Sequence, residues 1–176
     1  MASRRRQVEV RKSPEAELAG LYEEYYDKIA HYASVRIGNK ADAEDIAGDV
    51  FLKALESLGS YEHRGIPMQA WLFKIAHNLV VDYLRKKSKR KTVDLDSVTI
   101  KSNESPEKVA EVNIEIERVK KAMEQLTSEQ KEVLSLRFFG ELTSKETATI
   151  MEKSDGAVRE MQRAATSKLR LLLVTD

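Results

Sequence analysis

The chain contains no cysteine, three prolines, seven glycines and one tryptophan in 176 residues, and only 6% of it is aromatic. Without cysteine there is no disulfide, no thiolate metal site and no cysteine nucleophile. His31, His63 and His77 stand too far apart in sequence for a local metal motif. No paired acid–base or nucleophile constellation is present either, so neither a cofactor nor a metal is expected, and the chain reads as no enzyme. No apolar run approaches the roughly 20 residues that span a bilayer. Residues 1–12 are basic but lack the apolar centre of a signal peptide. These absences predict a cytoplasmic protein without membrane insertion, led by a disordered basic tail over residues 1–14.

Charge is abundant, at 34% of residues, and nearly balanced, with a formal net charge of +1. The balance hides segregation. Residues 15–62 carry eleven acids against four Lys or Arg, whereas residues 63–91 carry eight Lys or Arg and a single acid, Asp82. An acidic block beside a basic one suits a chain with two macromolecular partners of different charge.

Almost every apolar segment repeats with helical rather than alternating period, which predicts an all-α fold. Leu18, Leu21, Tyr22, Tyr25, Ile29 and Tyr32 form one stripe, ending near Gly38. Asp42 is the expected cap of a second helix whose apolar side holds Ile46, Val50, Phe51, Ala54 and Leu55. A third helix starts beyond Gly65 and Pro67 and carries Trp71, Ile75 and Leu79, then runs into a basic end at residues 86–91. Residues 88 to about 104 are polar, have no stripe and read as a linker. Order is expected to return at Ser105-Pro106, an N-cap followed by proline at the first helical position. A stripe then follows at Val109, Val112, Ile116, Val119, Met123 and Leu126. Thr127 and Gln130 make a capping box for the next helix, with Val133, Leu134, Leu136, Phe138 and Phe139, and Gly140 is its expected left-handed stop. The resulting layout is two small helical domains, 15–90 and 107–176, joined by a flexible linker at 91–106.

Three constellations carry chemistry. Asp42, Asp45 and Asp49 recur three and four apart beside Phe51 and Leu52, an acidic face suited to a basic partner helix. One helix cannot supply enough oxygens around a divalent cation, which disfavours a metal site there. On the third helix Lys74, Asn78, Asp82 and Arg85 share a face with Trp71 nearby and Lys86 beyond, a set able to neutralise phosphates and hold an unstacked base. The plain alternative is a buried tryptophan on an ordinary helix. The third constellation opens at Thr143 with another capping box closed by Glu146. A short helix through Ala148 and Met151, a turn at Glu152-Lys153 and a longer helix capped by Ser154 complete a helix-turn-helix pattern. The Ser154 cap leaves free N–H groups for a phosphate. Arg159, Gln162 and Arg163 would face bases, while Lys168 and Arg170 would contact the backbone.

These constellations, in this order, resemble the extracytoplasmic-function sigma factors of bacterial RNA polymerase. ADAEDIAGDVFLKAL (41–55) resembles the family segment that grips the polymerase clamp, and AWLFKIAHNLVVDYLR (70–85) the adjoining promoter-melting and −10-reading segment. LTSEQKEVLSLRF (126–138) is similar to the start of the family's region 4, and SDGAVREMQRAA (154–165) to its −35 recognition helix. The resemblance implies a core polymerase face at Asp42, Asp45, Asp49, Phe51 and Leu52. It implies −10 contacts from Trp71, Lys74, Asn78, Arg85 and Lys86, and −35 contacts from Ser154, Arg159, Gln162, Arg163 and Lys168. It also implies the polymerase core (clamp and flap) and promoter DNA as partners, and leaves open an inhibitory anti-sigma factor. The linker is too short for the middle domain of housekeeping members, and no appended regulatory domain is expected after Asp176. Two departures stand out: Glu152-Lys153 replaces the usual glycine-containing turn, and Thr147 stands where a larger aliphatic residue is typical.

Two other classes remain in competition. A repressor or activator would bind duplex operator by itself through residues 109–173, and a carboxylate-dependent nuclease would lose activity with chelator or without Asp45 or Asp49.

Overall fold

The computed structural model describes residues 13–62, 66–91 and 110–174, and the side chains of 91 and 110–115 lie outside that description. Among the described residues every regular element is helical: α1 (Pro14–Ile37), α2 (Lys40–Ser57), a 3-10 turn (Leu58–Ser60), α3 (Met68–Lys91), α4 (Ala110–Glu124), α5 (Ser128–Phe138), α6 (Ser144–Met151) and α7 (Asp155–Val174).

Local chemistry sets most of the helix ends. Ser13 accepts from the Ala16 N–H at 3.3 Å, Pro14 occupies the first turn, and Arg36 sits in the last one, where a cation complements the helix dipole. Gly38 at φ 72° closes α1. The cap of α2 is Asn39, whose side chain accepts from the Asp42 N–H at 3.0 Å; Asp42, the expected cap, lies inside the first turn. Both capping boxes, Thr127 with Gln130 and Thr143 with Glu146, are formed. Helix α3 extends to Lys91, so residues 88–91 of the expected linker are helical. The rest of that linker, the Ser105-Pro106 start and the expected N-terminal tail up to residue 12 fall outside the described residues.

Helices α1, α2 and α3 pack pairwise into a bundle. Its interior holds Tyr25, Ile29 and Tyr32 of α1, Ile46, Val50 and Phe51 of α2, and Leu72, Phe73, Ala76 and Val80 of α3. The buried line of α3 thus runs one position beyond Trp71, Ile75 and Leu79, which flank it half-buried. Leu55, expected inside, is 60% exposed. In the C-terminal half the α4 stripe packs only at its end. Met123 and Leu126 join Leu134, Ala165 and Leu169 in a small cluster, whereas Ile116 and Val119 are exposed. Val109 and the Val112 side chain lie outside the described residues.

Helices α6 and α7 form the helix-turn-helix, with Ala148, Ile150, Met151 and Val158 buried between them and the rest of the core. The turn needs no glycine. Glu152 itself takes the left-handed conformation (φ 55°, ψ 42°) and its N–H bonds to the Ala148 carbonyl, at a cost of about 1–2 kcal/mol relative to glycine's freedom. Thr147 is fully buried and its Oγ1 has no hydrogen-bond partner, so the place of a larger aliphatic is filled by a smaller, polar one.

The two halves share one apolar core: Val133, Leu136, Leu142 and Ile150 belong to the same buried cluster as Phe73 and Tyr32. Gly140 lies where the end of α5 meets Phe73 of α3. It is not left-handed as expected; the positive φ falls on Glu141 (54°). What the position requires is the absence of a side chain, because a Cβ would lie 2.6 Å from the Leu136 carbonyl oxygen and 3.3 Å from Phe73 Cδ2. Gly140→Ala is expected to lower stability by about 1–3 kcal/mol in urea unfolding; an unchanged midpoint would contradict this packing.

Candidate nucleic-acid and partner interfaces

The acidic face of α2 divides in two. Asp42 is half-buried and accepts a hydrogen bond from the Tyr83 hydroxyl, tying the start of α2 to the middle of α3. That bond, followed by burial, pushes the Tyr83 hydroxyl up to about 12. Asp45 and Asp49 are exposed and form no ion pair among the described residues. Phe51 lies in the core, its ring 5.0 Å from Tyr22 and 6.4 Å from Tyr26. The apolar groups that reach solvent beside Asp45 and Asp49 are Leu52 and Leu55, each 60% exposed, together with Tyr22. Leu55 was missed from sequence because helical period alone assigns it to the buried side.

On α3 the −10 candidates have three different environments. Asn78, Arg85 and Lys86 are exposed, with Arg85 paired to Asp82 at 2.8 Å. Trp71 is half-buried against Tyr61, with ring centroids 4.9 Å apart. Lys74 is turned toward the C-terminal half: its Nζ donates to the Ile150 carbonyl at 3.1 Å and lies 3.6 Å from Glu152. A lysine at the carbonyl end of α6 complements that helix's dipole. Trp71, Tyr61, Ile66 and Lys74 form one wall of a groove of about 570 Å³ whose other wall is Lys145, Thr149 and Ile150 of α6.

The −35 candidates lie along α7. Ser154 caps it, accepting from the Ala157 N–H at 3.1 Å. Arg159 and Arg163 are 67% and 77% exposed and are held by Asp155 and Glu160 on the same helix. Gln162 accepts from Arg137 Nε at 3.0 Å, and Lys168 donates to the Gln125 carbonyl. Thr166, Ser167 and Arg170 continue the same open concave face. Arg137 was missed from sequence; it also donates to the Leu142 carbonyl and so braces α5 against both the following loop and α7.

A second group escaped sequence reasoning altogether. Glu132 of α5 is a buried carboxylate, and among the described residues its side-chain partners come from the N-terminal half. Arg36 Nη1 lies 2.7 Å from Oε2, His77 Nδ1 bonds to Oε1, and the Tyr32 hydroxyl donates to Oε1 at 3.3 Å. Arg36 is itself buried and reaches the Ser128 hydroxyl at 3.3 Å; its Nη1 contact with Glu132 is a close ion pair rather than an aligned hydrogen bond. Lys28 adds an outer tie to Glu141 at 2.8 Å. Burial pushes the Glu132 carboxyl up, but the His77 hydrogen bond and the Arg36 charge outweigh it and hold the group below the ordinary glutamate value of 4.5. Among the described residues no group of three or more His, Asp or Glu is arranged to hold a metal, and no helix is long and apolar enough to cross a membrane.

Residues 21–90 match the family model of sigma-70 region 2, and residues 122–171 that of sigma-70 region 4. The chain is 35% identical over 173 residues to the ECF RNA polymerase sigma factor BldN of Streptomyces coelicolor, covering 96% of this chain and 65% of BldN. It is 29% identical over 154 residues to the RNA polymerase sigma factor YlaC of Bacillus subtilis, covering 85% of this chain and 88% of YlaC. Similar solved structures include the sigma factor RpoE in complex with the anti-sigma factor NepR from Bartonella quintana. There the TM-score is 0.71 at 22% identity, over 91% of this chain and 98% of that one. CnrH in complex with the cytosolic domain of CnrY gives a TM-score of 0.65 at 24% identity, over 90% and 88%. At these identities the likeness is one of fold.

The buried carboxylate makes stability depend on pH in a defined direction. Because the folded Glu132 value is depressed, its contribution is fully present above the ordinary glutamate value of 4.5 and is lost as pH falls through the lower folded value. Glu132→Gln is therefore expected to cost about 3 kcal/mol at pH 7, with the gap to the unsubstituted chain closing on acidification toward pH 3. Urea unfolding across that range measures it; a gap independent of pH would contradict the assigned charge state.

Proposed function

Because this chain belongs to the sigma-70 family, with extracytoplasmic-function sigma factors among its relatives, we propose that it binds the RNA polymerase core in the cytoplasm and directs it to promoters through −35 and −10 elements. It assists melting there and catalyses no bond chemistry itself. The observation that carries this reading is the presence of two separate cation-bearing helix faces on one chain. One is Asn78, Arg85 and Lys86 on α3, and the other is the Ser154-capped start of α7 with Arg159 and Arg163. A duplex-only binder needs one such face.

In this reading residues 15–90 form the core-binding and −10 domain, 91–106 the linker and 107–176 the −35 domain. Asp45 and Asp49, flanked by exposed Leu52 and Leu55, meet the polymerase clamp, where acids steer association and apolar groups hold it. Asp42 and Phe51 support that face from beneath, through Tyr83 and through Tyr22. Region 4 meets the flap. On DNA, Asn78 and the Trp71–Tyr61 pair take an unstacked base while Lys74, Arg85 and Lys86 neutralise phosphates. Arg159, Gln162 and Arg163 read the −35 duplex, and Ser154 and Lys168 hold its backbone. An anti-sigma factor, such as the NepR bound by the fold-related RpoE, completes the set of partners.

Two substitutions separate docking from melting. Asp45→Ala with Asp49→Ala is expected to weaken association with core polymerase by about tenfold, read by co-sedimentation or fluorescence titration. Unchanged affinity would reject the docking face. Asn78→Ala is expected to lower open-complex formation, read by permanganate reactivity of the melted strand, more than it lowers polymerase binding. Equal loss of both would assign Asn78 to folding instead.

A further inference from the structure

We propose that Arg137 of α5 is a positioning residue for base recognition. It holds the amide of Gln162 on α7 in the one orientation that selects adenine at a single position of the −35 element. The inference rests on the assignment of α7 to −35 recognition and names what sets its selectivity there.

The argument starts from the two facing atoms. Arg137 Nε donates to Gln162 Oε1 at 3.0 Å, while Nη1 of the same guanidinium donates to the Leu142 carbonyl. A guanidinium carries donors only, whereas a glutamine amide has an acceptor at one end and a donor at the other. Turning the amide over would set Nε2 against Nε, two donors face to face. The amide therefore has one orientation here, not two. The second bond, to the loop between α5 and α6, keeps the guanidinium from following a moving partner. Both side chains are half-buried, so solvent competes for this contact less than for the exposed pairs of Arg159 and Arg163 on the same helix.

Gln162 also lines the open concave face of α7, beside Arg159, Arg163 and Thr166. Arg137 takes one of the two lone pairs of Oε1 and leaves the other, with the Nε2 amino group, for a partner outside the chain. An acceptor and a donor side by side match adenine N6–H and N7 in the major groove, whereas the neighbouring arginines offer donors alone. A free glutamine loses rotamer freedom when it pairs with a base, and it can move its donor and acceptor between neighbouring bases. A held one has less to lose and presents both groups at a fixed place.

Start-site selection by core polymerase carrying this chain, on promoters randomised across the −35 element, tests the assignment. The unsubstituted chain is expected to prefer adenine at one position by about tenfold, and Gln162→Ala to abolish that preference alone. Arg137→Met is expected to weaken the same preference by on the order of fivefold, to spare the other −35 positions, and to change nothing further once Gln162 is alanine. Gln162→Glu keeps an acceptor toward Arg137 and replaces the amino group with a second acceptor. Preference at that position is then expected to pass from adenine to cytosine, whose N4 amino group donates. This variant leaves the Leu142 bond in place, which guards against Arg137→Met merely loosening the loop. An even loss of preference at all −35 positions in Arg137→Met would overturn the proposal, as would a salt slope of promoter binding lowered by about one, the mark of a direct phosphate contact. So would a base preference that neither Gln162→Ala nor Gln162→Glu moves. Failure of the sigma-factor reading is seen separately, as no promoter-dependent transcript when the unsubstituted chain is added to core polymerase.

Discussion

The contact of Glu132 with Arg36 and His77 is the buried polar tie between the two halves. It joins the one buried carboxylate of α5 to α1 and α3, in the same interface as the fit of Gly140 against Phe73 and the seat of α6 beside Trp71. An apolar contact alone tolerates sliding; a charged group buried between two hydrogen-bond partners and a guanidinium does not, because displacement leaves it buried without them. The shared core of the two halves is thus held in one arrangement by polar chemistry at its centre.

Around this centre the chain sorts its charges by task. The near-neutral total hides an acidic α2, with Asp45 and Asp49 in solvent, and a basic C-terminal end of α3, placed where the helix dipole favours cations. On α7 the exposed arginines are paired with acids about one turn away, Asp155 for Arg159 and Glu160 for Arg163. Such exposed pairs are weak, on the order of 0–1 kcal/mol each. Pairs of that strength are exchanged for another acceptor at little cost. The helix therefore presents ordered but exchangeable cations.

Features set by local chemistry were legible in the sequence. The capping boxes at Thr127 and Thr143, the Gly38 stop, the Ser154 cap and the helix-turn-helix depend on residues three or four apart, and they form as expected. Features set by tertiary contact were not. Phe51 is covered because Tyr22 and Tyr26 of α1 lie over it, while Leu55, one turn on, has no such neighbour. One local feature was misassigned, since Asn39 and not Asp42 caps α2; Asp42 instead holds Tyr83, forty-one residues away. Gly140 answers first to the Leu136 carbonyl at the end of α5, and then to Leu142 and to the Phe73 ring of α3. Glu132 left one trace: it lies four residues before Leu136, on the buried side of α5, where an acid has no place without a partner. Its partners are 55 to 100 residues away, beyond the reach of any local pattern.

The most direct measurement is transcription in vitro from a promoter library with core polymerase, with and without this chain. The chain is expected to bring about new, discrete start sites that share a −35 and a −10 element, and to bind the same duplexes poorly when polymerase is absent. Tight duplex binding by the chain alone, with start sites unchanged by its addition, would contradict that role.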